Sequence, residues 1–160
     1  MKEIRKVLNL ALEKFGAKLG VTKVAISRIE KGVNSLTDQM AKAIYRDLTQ
    51  KQKACVLAEE IGHYKTNTGN ILDQSNTGNQ EQEYQARLYG YNLKVGLMGI
   101  VQAYEAGCRN LHETAELLEV TEAYLIEVLD TYRRKYGCGT EFDNYIVMFE
   151  LYLAVIRKSE

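Results

Sequence analysis

Between Ala11 and Gly32 the apolar residues Leu12, Phe15, Leu19, Val21, Ile26 and Ile29 recur at a spacing that two short helices joined by a tight turn would bury on one face. The run Ala11–Leu19 predicts the first helix, Gly20-Val21-Thr22 the turn, and Lys23–Lys31 the second helix. Thr22 is of the type that caps a helix N-terminus by accepting a backbone N–H, and Gly32 stands where a helix ends in a left-handed residue. Flanking helices are expected over Lys2–Leu8 and Leu36–Asp47. The latter is opened by Ser35-Leu36-Thr37-Asp38, a capping-box variant with Asp in place of Glu.

Charge divides the chain at about the same place. The net charge over 160 residues is zero, yet residues 1–53 hold 12 Lys/Arg against 5 Asp/Glu, and residues 54–160 hold 9 against 16. The first part therefore carries +7 and the second −7. A basic N-terminal module suits a polyanionic partner, and the acidic remainder does not. A length of 160 residues accommodates one ordinary domain or two small ones, and 46% hydrophobic residues suffice for packed cores. No apolar run approaches a membrane span, and no basic-then-apolar leader is present, so no membrane partner and a cytoplasmic location are expected. The cysteines Cys55, Cys108 and Cys138 are odd in number and lack paired spacing, which fits reduced thiols rather than a disulfide frame or a zinc ribbon.

Beyond Leu48 a helix is expected from Thr49 to about Lys65, broken by Asn67-Thr68-Gly69, with a polar loop over Asp73–Asn79. Helices follow over about Gln80–Lys94 and Leu97–Ala106, the second ended by Gly107. Asn110 with Glu113 is an N-cap signature for a helix to Glu119, and Thr121 caps another to about Tyr136. Residues 111–136 thus have a second helix-turn-helix outline, but residues 111–130 contain six acidic residues and no Lys or Arg. Glu122, Glu127 and Asp130 would repel phosphates, so this element is expected to be structural or protein-binding. Thr140–Phe142 and Tyr145–Phe149 flank Asp143-Asn144 and predict a small hairpin. No internal repeat appears.

Residues 1–48, and above all the runs Phe15–Thr22 and Ile26–Gly32, resemble the helix-turn-helix of the Xre/Cro family of phage and mobile-element repressors. The resemblance implies that Thr22 starts a recognition helix with Lys23, Val24 and Arg28 on its groove-facing side, and that Ser27 makes a polar backbone contact. Lys and Arg donate to guanine O6 and N7, and a Val side chain meets a thymine methyl. The likeness also implies an Arg5–Glu30 pair tying the first helix to the end of the recognition helix, and a homodimer on a two-fold site. Ala11 replaces the polar cap usual in the family.

In Leu57–Thr66, Glu59 and His63 stand four residues apart and project from one helix face. That is the spacing of ligands in HExxH zinc helices, and it is also common on solvated helices. From Cys55 to about Phe149 the chain resembles phage-encoded members of the ImmA/IrrE family of zinc metallopeptidases, through Leu57–Thr66, Ile71–Asn76, Gln82–Arg87 and Gly96–Ile100. The resemblance implies zinc held by His63 and Glu83, with Glu59 in place of the family's first ligand and Glu60 as the base. The helix and strands that the family carries before its active-site helix have no room between Leu48 and Thr49.

The expected architecture is mainly α. An N-terminal helix-turn-helix bundle (1–48) precedes a helical, peptidase-derived region (49–106) and an acidic winged-helix-like element with a C-terminal β-hairpin (107–160). The expected function is a phage or mobile-element regulator with a head that binds double-stranded DNA and an inactive interaction module. The alternatives are an active zinc endopeptidase cleaving an Xre-type repressor, and an antitoxin or inhibitor that binds a toxin or other protein partner.

Overall fold

A computed structural model gives the structure of residue 5 and of residues 10–67, 76–150 and 153–158. The chain divides into two compact units, one running to Val56 and the other beginning at Leu57. The described residues are mainly helical, with a small three-stranded antiparallel sheet near the C-terminal end.

The first unit contains α1 (Leu12–Lys18), α2 (Lys23–Glu30), α3 (Asp38–Asp47) and the start of α4 (Gln50–Asn67). Phe15, Ile26 and Ile44, one from each of the first three helices, form its buried centre, and Leu10, Leu12, Leu19, Val21, Leu36 and Met40 pack around them. The expected helix over Lys2–Leu8 lies outside the described residues apart from Arg5. The turn after α1 is closed by two hydrogen bonds, Gly20 N–H to Ala17 O (3.2 Å) and Val21 N–H to Gly16 O (2.9 Å). This is the Schellman ending, which needs a left-handed residue, and Gly20 supplies it with φ +69°. The chain folds back so closely that a Cβ on Gly16 would stand 2.6 Å from the Val21 carbonyl oxygen.

Helix starts in this unit vary in quality. Thr22 accepts from Ala25 N–H at 3.3 Å, as its residue type predicts. Thr49 and Gln52 form a reciprocal capping box, at 3.2 Å and 2.9 Å. The cap of α3 is Thr37, which accepts from Met40 N–H at 3.3 Å, and not the expected Ser35. Leu36 packs against the core ahead of that cap, so the helix starts two residues later than a capping box at Ser35 requires. Ala11 makes no side-chain cap for α1.

The second unit holds the rest of α4, then α5 (Asn76–Lys94), α6 (Gly96–Glu105), α7 (Leu111–Leu117), α8 (Glu122–Tyr136) and strands β1 (Gly139–Phe142), β2 (Tyr145–Met148) and β3 (Ala154–Arg157). Of the expected break and loop over Asn67–Asn79, residues 68–75 lie outside the described residues. From Asn76 the chain is already helical, ahead of the expected start at Gln80. Asn, Thr and Gly are weak helix formers, so residue type alone does not mark this start. Two small-residue rows bring α4 and α5 together. A Cβ on Gly62 would lie 2.1 Å from Ala86 O, and one on Gly90 2.6 Å from Ala58 O. Only glycine permits this backbone approach.

Tyrosines supply much of the second core. Tyr91 packs edge-on to Tyr124 with ring centroids 5.2 Å apart, and buried Tyr132 donates its hydroxyl to Asn92 Oδ1 at 2.7 Å. Burial raises the Tyr91 phenol pKa above its ordinary range, and the Glu127 and Glu59 carboxylates add to the shift. The expected hairpin is β1–β2, with Phe142 opposite Tyr145. The sheet extends beyond it, because β3 pairs antiparallel with β2.

Candidate nucleic-acid interface

At about 100° per residue, positions 23, 27, 31, 24 and 28 fall within one arc of roughly 140° on α2 and its C-terminal cap. Lys23, Val24, Arg28 and Lys31 are exposed there and Ser27 is half-buried, while Ile26 faces the opposite way into the core. Val24 is 55% exposed although nothing in the helix requires an apolar residue at that place. Two ion pairs set the helix. Arg5 Nε meets Glu30 Oε1 at 2.8 Å, and Arg5 Nη1 donates to Leu10 O at 3.1 Å, so the expected pair holds the C-terminal end of α2. Lys23 Nζ donates to Glu13 Oε1 at 3.0 Å across the turn, a pair that the sequence reading missed. Both of its members are well exposed, so it is weak and Lys23 can exchange it for a phosphate or a base edge.

The segment α7–turn–α8 repeats α1–turn–α2 position by position at a shift of 99 residues, from Leu12 to Leu111. Both first helices have seven residues, and both second helices begin directly after a capping threonine, Thr22 or Thr121. The turn bonds also repeat, with Glu119 N–H to Glu116 O (3.1 Å) and Val120 N–H to Ala115 O (3.0 Å). The sequence shows no internal repeat because few residues are shared: Leu12, Leu19, Val21 and Thr22 return as Leu111, Leu118, Val120 and Thr121. The exposed charges are inverted. Lys14, Lys23, Arg28 and Lys31 correspond to Glu113, Glu122, Glu127 and Asp130. A side-chain bond across the turn also returns, with the carboxylate now on the second helix: His112 Nδ1 lies 2.7 Å from Glu122 Oε1 in place of Glu13–Lys23. Of these two second helices, α2 presents the charge that a phosphate backbone attracts and α8 the charge that it repels.

Of the residues expected around zinc, His63 and Glu83 are brought together by the α4–α5 crossing. His63 Nε2 stands 3.7 Å from Glu83 Oε2, and Arg87 Nε donates to Glu83 Oε1 at 2.7 Å. Glu59 is buried, at 6% exposure, and its charge acts on the Tyr91 phenol. Glu60 is exposed. Among the described residues no group of three or more His, Cys, Asp or Glu side chains is arranged to hold a metal ion. Among those residues no helix is long and apolar enough to cross a membrane.

No curated protein and no solved structure matches the chain. The helix-turn-helix family model matches residues 1–52, the segment that carries α1, the turn and α2.

Proposed function

We propose that the chain is a sequence-specific DNA-binding regulator of a phage or mobile element, whose head reads the major groove through Lys23, Val24 and Arg28. The observation that carries this reading is the exposed face of α2, which presents those three residues together within a segment of net charge +7. Thr22 places the open end of α2 toward a phosphate, where unpaired amides and the helix dipole favour an anion. Ser27 supplies a further polar contact. Two copies on a two-fold site would each insert one α2.

The test is duplex binding by the full chain at fixed salt. Arg28→Ala is expected to cost about 1–3 kcal/mol and to relax preference at one base position. Lys23→Ala combined with Arg28→Ala removes both donors. Equal affinity of that double variant and the wild type for a selected site rejects direct readout by α2.

A second reading concerns residues 57–160, and the His63–Glu83 approach at 3.7 Å favours it. We propose a peptidase-derived module that has lost activity, with His63, Glu83 and Glu59 as remnants of a zinc set and Glu60 as the former base. Oxygen and nitrogen donors of these types suit zinc, but the Arg87 guanidinium on Glu83 competes for one carboxylate oxygen. Weak zinc binding, lost on dialysis, and no cleavage of an Xre-type repressor are expected. Stoichiometric zinc that survives dialysis, with repressor cleavage abolished by Glu60→Gln, overturns the inactive reading.

A further inference from the structure

We propose that the acidic face of α8 docks on the basic face of α2 from a second copy of the chain, in competition with DNA. The two faces share one geometry and carry opposite charge at corresponding places. Glu122, Ile126, Asp130, Ala123 and Glu127 fall within the same arc of roughly 140° as Lys23, Ser27, Lys31, Val24 and Arg28. Both faces are largely solvent-facing: Glu122, Ala123 and Glu127 are exposed, as are Lys23, Val24, Arg28 and Lys31, while Asp130 and Ser27 are half-buried. Ile126, in the middle of the acidic face, is 45% exposed, and it borders an open cavity of about 420 Å³ together with Asp130.

Charge spacing makes the match specific. Lys23 and Lys31 are eight residues apart, as are Glu122 and Asp130, a rise of about 12 Å in each helix. In an antiparallel approach Lys23 meets Asp130, Lys31 meets Glu122, and the apolar Val24 and Ile126 lie between the two ends. The present partners of these acids are exchangeable. Glu122 is held by His112 at 2.7 Å and Asp130 by Arg133 at 3.0 Å, both at exposed positions where ion pairs are weak. Glu127 keeps its bond from the Tyr91 hydroxyl at 3.3 Å and contributes field rather than a new pair.

Every copy carries both faces, so one chain can lend its α8 to the α2 of another. Duplex DNA carries one charge per about 1.7 Å and outcompetes three acids spread over about 12 Å. Docking therefore suppresses weak, non-specific contacts of the head more than binding to a cognate site. This consequence rests on the reading of α2 as a DNA-binding helix, but the docking itself does not.

The test is a charge exchange read by sedimentation of full-length chains without DNA. One variant carries Lys23→Glu and Lys31→Glu, the other Glu122→Lys and Asp130→Lys. Wild type is expected to self-associate at low ionic strength, roughly tenfold more weakly at 0.5 M than at 0.05 M salt. Neither variant alone is expected to associate, and an equimolar mixture is expected to recover association, because α2 of the first variant meets α8 of the second with reversed polarity while the opposite contact keeps its wild-type charges. Wild type that stays monomeric at low salt overturns the proposal, as does association that persists in either variant alone or fails to return in the mixture. The neutral pair Glu122→Gln and Asp130→Asn, with wild-type circular dichroism, guards against misfolding: it should lose association too, and retention overturns the proposal. Wild type that self-associates but binds no duplex would sink the readout by α2 and leave the docking standing.

Discussion

The turn at Gly20 and the turn at Glu119 close with the same two hydrogen bonds, yet their surroundings differ in kind. The first helix-turn-helix begins uncapped at Ala11, needs a glycine at position 16, and exposes lysines and an arginine. The second begins at Asn110, which accepts from Glu113 N–H at 2.8 Å while Glu113 Oε2 accepts from Arg109 N–H at 2.7 Å. It tolerates Ala115 where the first has Gly16, and exposes acids. The contrast separates two jobs that sequence motifs usually blend. Half-buried leucines, the Val after the turn and the capping threonine set the backbone path, and they are the residues the two segments share. The exposed charges are not shared, and they invert between the two segments.

The strongest way to break this comparison is to exchange the charges. In a full chain whose head carries Lys23→Ala and Arg28→Ala, adding Glu122→Lys, Glu127→Arg and Asp130→Lys should raise low-salt duplex affinity roughly tenfold to a hundredfold. The binding should weaken steeply with salt, since the new contacts are to phosphates. Fluorescence anisotropy at several salt concentrations checks it. An unchanged affinity would mean that something other than charge keeps α8 from DNA, and that shared backbone geometry does not suffice for binding.

A smaller effect is expected from the close approach at Gly16. Gly16→Ala places a Cβ 2.6 Å from a backbone carbonyl, which no side-chain rotation relieves. Overpacking of this kind costs roughly 1–3 kcal/mol. Ala115 occupies the corresponding position and is buried, so Ala115→Gly should cost only about 1 kcal/mol, through helix propensity. Amide hydrogen exchange at Ile26 and Leu125 reports each segment separately. Equal losses at the two positions would show that the turns are not as different as their glycines suggest.

Much of the first unit was legible because its signals are local. The core residues Phe15 and Ile26, the Thr22 cap and Gly32 follow from spacing and residue type within about twenty residues. The Arg5–Glu30 pair spans 25 residues and was accessible only through resemblance to a family. The outline of the second helix-turn-helix was legible for the same local reasons, but its correspondence to the first was not. Partners at the 99-residue shift differ at most exposed positions, where fold places little demand on residue type. Strand β3 was missed because four residues at a chain end carry too short an alternation; pairing with β2 makes it a strand. The α4–α5 approach at Gly62 and Gly90 was also hidden, since a glycine in a helix signals close packing only once its neighbour is known. Glu59 fell in a buried place for that reason, while spacing alone put it on the face of His63.

The caps offer a finer test. Ala11→Asn gives α1 the acceptor that α7 already has in Asn110, and should stabilise the first unit by about 1 kcal/mol. Asn110→Ala should cost the second a similar amount. Hydrogen exchange again separates the two. A null result for Ala11→Asn would mean that the start of α1 is satisfied in another way, and that the two segments differ less at their entrances than at their turns.

The smallest expected effect lies at the turns themselves. Glu119 holds φ +53°, a left-handed conformation that costs an L-residue roughly 1–2 kcal/mol, where Gly20 adopts +69° without a Cβ to clash. Glu119→Gly removes that strain but adds unfolded-chain entropy of about 0.5–1 kcal/mol. The two contributions nearly offset, leaving a gain of about 0.5 kcal/mol for the second unit. The substitution also removes one negative charge from the acidic segment, so Glu119→Gln serves as its partner measurement: glutamine removes the charge and keeps a side chain strained in the left-handed region. If both substitutions stabilise by similar amounts, charge relief accounts for the gain. If glycine stabilises and glutamine does not, backbone strain at the turn is what distinguishes Glu119 from Gly20.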